Sequence, residues 1–497
     1  MSAKIVLGLL LLKFYNTIMN IFFMHKNNYY IEDIKLDKYQ SKAVYCNRNS
    51  YLVVAGAGSG KTLTIVGKVK YLIDNGVPPS KILCISFTNE SVNSLKSSLM
   101  KRNLFVDCKT FHKLSLDILK DKNYYICSSD LLVYVCEEYF NSYIFFDDTY
   151  KIVPYEIDKY YKNVKDIIIS FIHKVKCNQI DIEIVLKLLR KKIPKDHKVL
   201  LIIILKIYIL YEEELNSQKK IDFDDIINAS ISELDELMYF KYSYLIVDEY
   251  QDISYSKYLL IKKIINKFNV KFMAVGDDYQ SIYSFSGSDL SYFVNFKRMF
   301  NSSVIKLRNT YRCPKDVVEI AKRFVMCNKN QINKRLISRN YINNSINVVY
   351  SENEINDLIK IFDSDDNFLV LGRNNKDFML LKESDLISTD NGKIIYKDKS
   401  IRYMTVHSSK GLEEKNVIVL NVVDNYLGFP NKIYDNEIFD YIDKKNEFYP
   451  YAEERRLFYV AFTRCKNKVY FFTRKNKESI FLKELIKKYK YKINIFK

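Results

Sequence analysis

The stretch YLVVAGAGSGKT, residues 51–62, decides the reading. Four apolar residues, Tyr51–Val54, form a short buried strand. They run into a glycine-rich loop, Ala55-Gly56-Ala57-Gly58-Ser59-Gly60, and Lys61-Thr62 then open a helical pattern. Strand, glycine loop and helix N-terminus in that order make a phosphate cradle: backbone N–H groups and the helix dipole favour an anion. Lys61 adds a point charge, and the Thr62 hydroxyl suits Mg²⁺. Ala55 stands where the strict phosphate-loop pattern has a further glycine.

A second stretch, YLIVDEYQD (Tyr244–Asp252), ends an apolar strand in two acids. Asp248 at the strand tip suits Mg²⁺, and Glu249 suits orientation or deprotonation of an attacking water. Further apolar strands are expected at Ile82–Ser86, Phe272–Val275, Val304–Leu307, Phe368–Leu371, Met404–Val406, Val417–Leu420 and Val469–Phe472. Strands of this kind alternating with helices predict parallel α/β sheets. Leu36–Tyr45 reads as a short helix. Residues 113–235 read as an inserted helical subdomain, within which Val199–Tyr211 reads as a buried helix too short to span a bilayer.

The bulk properties agree. A chain of 497 residues suggests about two to four domains. Twelve Gly and seven Pro leave little room for long flexible linkers. The formal net charge of +19 favours a polyanionic partner, although Lys, Ile, Asn and Tyr are inflated together, as a coding bias would produce. The nine cysteines form no C-x-x-C pair, which argues against structural zinc or an iron–sulfur cluster and for a reducing compartment. Ile5–Leu12 mimics a signal peptide, with Lys13 interrupting the run and no cleavage site following. It reads as a short buried or interfacial helix, a weak anchor, or an over-extended start with translation beginning at Met19 or Met24.

Beyond the two nucleotide motifs, the chain resembles superfamily 1A helicases of the UvrD/Rep type from about residue 36 to 475. LDKYQSKAV (36–44), SFTNES (86–91), TFH (110–112), VDEYQD (247–252), VGDDYQSIYSFSG (275–287), TYR (310–312), TVHSSKGLE (405–413) and EERRLFYVAFTR (453–464) occur in the family's order. The resemblance implies two RecA-like P-loop NTPase domains with parallel sheets and a helical insertion in the first. The expected limits are 1–30 for an N-terminal extension, 31–112 with 236–305 for the first domain, 113–235 for the insertion, 306–480 for the second domain and 481–497 for a basic tail.

It also implies roles. Gln40 reads adenine, Gln280 senses the γ-phosphate, Tyr311 stacks on adenine and Glu413 holds the ribose. Arg312 and Arg464 act as arginine fingers, as a guanidinium fork suits the charge spread of phosphoryl transfer. Phe87, Thr88, Asn89, Thr110, Phe111, His112, Tyr283, Phe285 and His407 are the candidate DNA contacts, the aromatic ones by stacking, which accepts any base; Phe87 and Phe285 match the family's stacking positions best, and Phe111 and Tyr283 equally read as core.

The implied activity is ATP- and Mg²⁺-dependent translocation on single-stranded DNA or a single/double-strand junction, 3′→5′ by resemblance alone, in replication, repair or recombination. A cytoplasmic, nucleoid or viral-factory location is expected. Two departures matter. Ser286 stands where the family usually has an arginine. Only residues 313–404 separate Arg312 from Thr405, which leaves about 385–400 for the accessory insertion, enough for a hairpin or loop. The chain is therefore expected to unwind duplex poorly unless a protein partner activates it. With residues 465–497 following the last motif, no appended nuclease domain is expected. The alternatives are an RNA-directed or partner-activated ATPase of the same fold, a non-catalytic nucleotide-gated module, and a small-molecule kinase, which would lack the acid box and YVAFTR.

Overall fold

The computed structural model describes residues 30–496 except 32–33, 123, 129, 145–153, 366, 380, 382–387, 391, 433–436 and 443–448. The N-terminal run Ile5–Leu12, Met19 and Met24 lie outside the described residues. No described helix is long and apolar enough to cross a membrane.

The first sheet has strands β1 (Ser50–Val54), β2 (Ile82–Ser86), β3 (Asp107–Thr110), β4 (Tyr244–Val247), β5 (Lys271–Gly276) and β6 (Ser303–Lys306). Their spatial order is β6-β1-β5-β4-β2-β3, and every pairing is parallel. β1 and β2 are buried along their whole length, as continuous apolar runs require when helices cover both faces. The acid box at the end of β4 and the glycine loop at the end of β1 therefore open on the same sheet edge, one strand apart.

The second sheet has β7 (Ile346–Tyr350), β8 (Phe368–Gly372), β9 (Ser388–Asp390), β10 (Lys393–Tyr396), β11 (Lys399–Thr405), β12 (Glu414–Val419), β13 (Cys465–Thr473) and β14 (Asn494–Phe496). The order is β9-β10-β11-β8-β12-β13-β7-β14. The β9-β10-β11 run is an antiparallel meander on one edge, standing where a hairpin or loop is expected at 385–400. The described part of the expected tail 481–497, residues 481–496, is not free. Phe481, Leu482 and Leu485 of the helix Ile480–Tyr489 are buried, and β14 adds to β7 in parallel register. The apolar spacing overrides the high lysine content there.

Two expectations about the insertion also shift. The helices Phe111–Ile118 and Phe223–Glu233 pack into the first sheet's core through Phe111, Leu114, Ile118 and Ile227. The insertion's own core is formed by Cys136, Ile168, Phe171, Val185, Leu201 and Ile204. The helix Lys195–Ser217 is buried on one face only: Leu201, Ile204, Leu205 and Tyr211 point inward, while Val199, Ile202 and Ile209 are exposed. Ile438 and Phe439, which follow β12 in the second half of the chain, complete this core. Phe439 lies 6.0 Å from Phe171, and Tyr441 Oη meets His197 Nδ1 at 2.9 Å, so the insertion is tied to the second sheet's domain.

Phe111, read either as a stacking group or as core, is core: it is 1% exposed and packs against Phe87 at 5.1 Å, so no base can reach its face. Phe111→Ala should therefore act on stability, costing about 3–5 kcal/mol as a large core truncation does. Denaturant unfolding checks this, and a loss under about 1 kcal/mol would place the ring outside the core.

Candidate nucleotide site and nucleic-acid interface

Gly58 and Gly60 take φ of +69° and +79°, conformations costly for any residue with a β-carbon. They let the loop curl back: Ser59 N–H and Oγ both donate to Gly56 O, at 3.2 and 2.9 Å, and the helix Lys61–Asp74 starts with Thr64 N–H on Gly60 O. Gln40 fastens the loop from outside. Its Nε2 donates to Ser59 O at 3.1 Å, while its Oε1 accepts from Asp37 N–H in a capping box. Asp37 Oδ2 accepts from Tyr311 Oη and Asn309 Nδ2, each at 2.8 Å. Gln40 and the 61%-exposed Tyr311 ring are thus brought to one rim through Asp37.

Lys61 Nζ donates to Glu249 Oε1 at 2.6 Å. Burial alone would lower this ammonium, yet Glu249, Asp248 and Asp277 raise it. Asp248 accepts Glu249 N–H at 2.9 Å, and burial together with the Glu249 charge pushes its carboxyl up to about 6. Glu249 goes the other way. Burial would raise it, but Lys61 and Lys410 outweigh that and hold it at about 2. Glu249 sits at φ +53°, a strained backbone for a non-glycine residue, which turns its side chain off the strand line toward Lys61. The exposed Thr62 and the Asp248 carboxylate offer only oxygen donors, which fits Mg²⁺ and suits no softer metal.

The second domain lies directly on the loop. Thr310 Oγ1 donates to Ala57 O at 2.7 Å, Tyr311 N–H to Gly58 O at 2.9 Å, and Ala57 N–H to Tyr459 Oη at 3.4 Å. A β-carbon on Gly58 would sit 2.3 Å from Arg312 Cβ. Arg312 Nε donates to Glu413 Oε2 at 2.7 Å, and Lys466 takes the other oxygen at 2.9 Å. Glu413, expected to hold the ribose, is therefore engaged by two cations. Arg464 is fully buried and donates to Val460 O, Leu412 O and, across the cleft, Gln280 Oε1 at 3.1 Å. Burial and Arg312 lower its guanidinium to about 10, so it stays charged at neutral pH.

On the expected DNA side, Phe285 is 53% exposed and meets Tyr283 at 5.8 Å and His407 at 5.9 Å, so the two domains share one aromatic cluster. Burial, Arg373 and Lys410 hold His407 at about 4, which leaves it neutral near pH 7. Lys257 Nζ lies 5.1 Å over the Phe87 ring. Thr88 and Thr110 are N-caps, accepting Ser91 N–H and Lys113 N–H, and Asn89 is exposed at the first helical position. His112 packs edge-on against Phe223, its imidazole lowered by burial and Lys257.

Several residues at the site have no role assigned from the sequence. Lys410 reaches from the second domain to Asp252, and Lys334 to Asp277 and Asp278. Glu453 accepts from Ser284 N–H at 3.2 Å, and Arg456 Nε donates to Ser281 O at 2.5 Å. Lys410, Glu453 and Arg456 lie inside quoted motifs, so their position was visible but not their partners.

Comparison with known proteins agrees with this geometry. The family model of the UvrD/REP helicase N-terminal domain matches residues 36–301, and that of the UvrD-like helicase C-terminal domain matches 350–476. The chain is 31% identical over 346 residues to the ATP-dependent DNA helicase Rep of Buchnera aphidicola subsp. Schizaphis graminum, covering 65% of this chain and 49% of that protein. DNA helicase IV of Escherichia coli is 25% identical over 503 residues, covering 92% and 70%. The ATP-dependent DNA helicase PcrA of Staphylococcus aureus is 27% identical over 322 residues, covering 61% and 41%. The chain spans about half the length of the Rep relatives it matches. With a glycine loop, an acid box and two arginines converging between two RecA-like sheets, and family models covering both, this chain belongs to the UvrD/Rep family of superfamily 1 helicases.

Proposed function

We propose that this protein is an ATP-dependent DNA translocase or helicase that hydrolyses ATP in the cleft between its two sheets while gripping single-stranded DNA across the aromatic cluster. The observation that carries the reading is Arg464 donating to Gln280 across the cleft, with Arg312 against Gly58.

ATP phosphates entering the glycine loop compete with Glu249 for Lys61. When Lys61 turns to the phosphates, Glu249 loses a cation that holds its carboxyl low, and its basicity rises toward what an attacking water needs. Asp248 and Thr62 hold Mg²⁺, which when bound neutralises phosphate charge. Gln280 bridges Asp277 and Arg464, so it reports the γ-phosphate to the second domain. Arg312 and Arg464 offset charge on the transferring group only while the cleft is shut, so each turnover opens and closes it. Phe285, Tyr283 and His407 lie on both sides of that hinge, so the DNA grip changes with it. Tyr311 stacks on adenine beside Gln40. The short β9-β10-β11 meander in place of a large accessory domain, with Ser286 beside Phe285, supports weak unwinding by the chain alone, and a protein partner supplies the rest.

Single-stranded DNA should stimulate ATP hydrolysis more than RNA homopolymers do, and Lys61→Ala and Glu249→Gln should each lower turnover by at least about 100-fold. Glu249→Gln should still bind ATP. Tailed duplexes should show slow displacement from the 3′ tail only. Fast unwinding of long duplex, equal use of 5′ tails, or normal turnover in either variant would contradict the reading.

The acid limb follows from Asp248. Its carboxyl is raised to about 6, so the proton returns as pH falls through that value and competes with the metal. Relative to Asp248→Asn, which removes the titrating group, apparent Mg²⁺ affinity of the nucleotide-free protein should be flat above about pH 7 and weaken about tenfold per unit below about pH 6. Identical pH profiles for the two proteins would contradict the assignment of Asp248.

A further inference from the structure

A lysine ammonium removed from water must find acceptors. Lys334 is 0% exposed, and its Nζ donates to Ala55 O at 3.0 Å, to Asp278 Oδ1 at 2.5 Å and to Asp277 Oδ1, with the Tyr279 ring centroid 3.6 Å away. The segment around it crosses from the helix Lys315–Val325 of the second domain onto the first. Tyr279 Oη donates to Ile332 O, Ile332 N–H to Asp278 Oδ2, and Leu336 covers Gly56. Lys334 therefore clamps the root of the glycine loop to the tip of β5.

Asp277 is the branching point. Its Oδ2 accepts from Gln280 Nε2 at 2.6 Å, and Gln280 Oε1 accepts from Arg464. Its N–H donates to Gln251 Oε1 at 2.9 Å, and Gln251 Nε2 donates to Glu249 Oε2 at 2.5 Å. One branch ends on an arginine of the second domain and the other on the acid paired with Lys61.

We propose that Lys334 is a positioning residue for ATP hydrolysis, holding Asp277 so that Gln280 and Gln251 fix Arg464 and Glu249 in the closed cleft. This rests on the ATPase reading above. Lys334 acts through Asp277, so its loss slows the chemical step without weakening nucleotide binding: the loop gives up one bond at Ala55 O but keeps Ala55 N–H on Gly276 O, Ser59 on Gly56 O and Gln40 on Ser59 O. Without the ammonium, two adjacent buried carboxyls lose their cation. Asp277 then no longer holds one geometry for both glutamines.

The test uses the full chain with single-stranded DNA. Lys334→Met should lower kcat by about 10–100-fold, the scale of misplaced catalytic groups, with affinity for a fluorescent ATP analogue within about twofold of wild type. On a Gln280→Ala background it should cause little further loss, since both changes break the same chain. Asp277→Asn, which keeps the side-chain size, should behave the same way and stands in if Lys334→Met fails to fold. Unchanged kcat, losses that multiply with Gln280→Ala, or weakened nucleotide binding matching the kcat loss would each overturn the proposal. Wild-type protein without DNA-stimulated hydrolysis would overturn the ATPase reading itself, whereas wild-type turnover with an indifferent Lys334→Met overturns only the role of Lys334.

Discussion

Gly58 has no side chain, and Arg312 Cβ occupies the space one would need. That single close approach lets the second domain sit on the phosphate loop. Thr310 and Tyr311 hydrogen-bond the carbonyls of Ala57 and Gly58 directly, and Tyr459 Oη accepts from Ala57 N–H, so the other domain holds the loop by its backbone. Ala57, Tyr279 and Ile282, all from the first domain, pack with the second domain's core residues Cys313, Val317 and Tyr459. Any change in the loop that moves Ala57 or Gly58 is therefore felt across the cleft through packed atoms rather than through a long-range field.

The charges that cross the cleft are dry. Lys410 with Asp252 and Lys334 with the Asp277–Asp278 pair are almost wholly out of water. Such pairs contribute little net stability, but removing one partner costs about 3–5 kcal/mol because the other is left uncompensated. They make the closed arrangement specific: only one register of the two domains satisfies them. Opening the cleft exposes them to water, which lowers the cost of parting. Between them stand Asp248 and Glu249, neighbours in sequence with carboxyls pushed to about 6 and about 2. Both are buried, but Lys61 and Lys410 outweigh burial at Glu249 whereas the Glu249 charge adds to it at Asp248, and that difference of environment separates the two carboxyls.

The parts of the fold that follow local rules were legible in the sequence. β1, β2 and β4 are runs of four or five apolar residues with turn signals after them, and their ends fall within a residue of the structure's. Arg312, Arg464, Gln280 and Lys61 converge because each sits at a fixed offset from a strand or helix end. What was not legible depends on long-range placement. Nothing around Lys334 distinguishes it from the chain's many surface lysines, and only the crossing of residues 331–336 buries it. Phe111 follows a strand end, as Phe87 does, but the helix it starts turns the ring into the core. Phe439 is the same case: a side chain whose partner, Phe171, lies far back in the chain. The helix Ile480–Tyr489 was hidden by its lysines, which flank a buried stripe of Phe481, Leu482 and Leu485.

In the proposed mechanism the second domain's arginines act on the phosphoryl group as it transfers, not on the bound nucleotide. The direct measurement compares the affinity of ADP alone with that of ADP plus aluminium fluoride, a planar phosphoryl mimic, for wild type and Arg312→Ala in the presence of single-stranded DNA. ADP affinity should stay within about twofold, while the mimic complex weakens by about 10²–10³-fold, the scale of one lost transition-state donor. Equal affinity of the two proteins for the mimic complex would contradict the account.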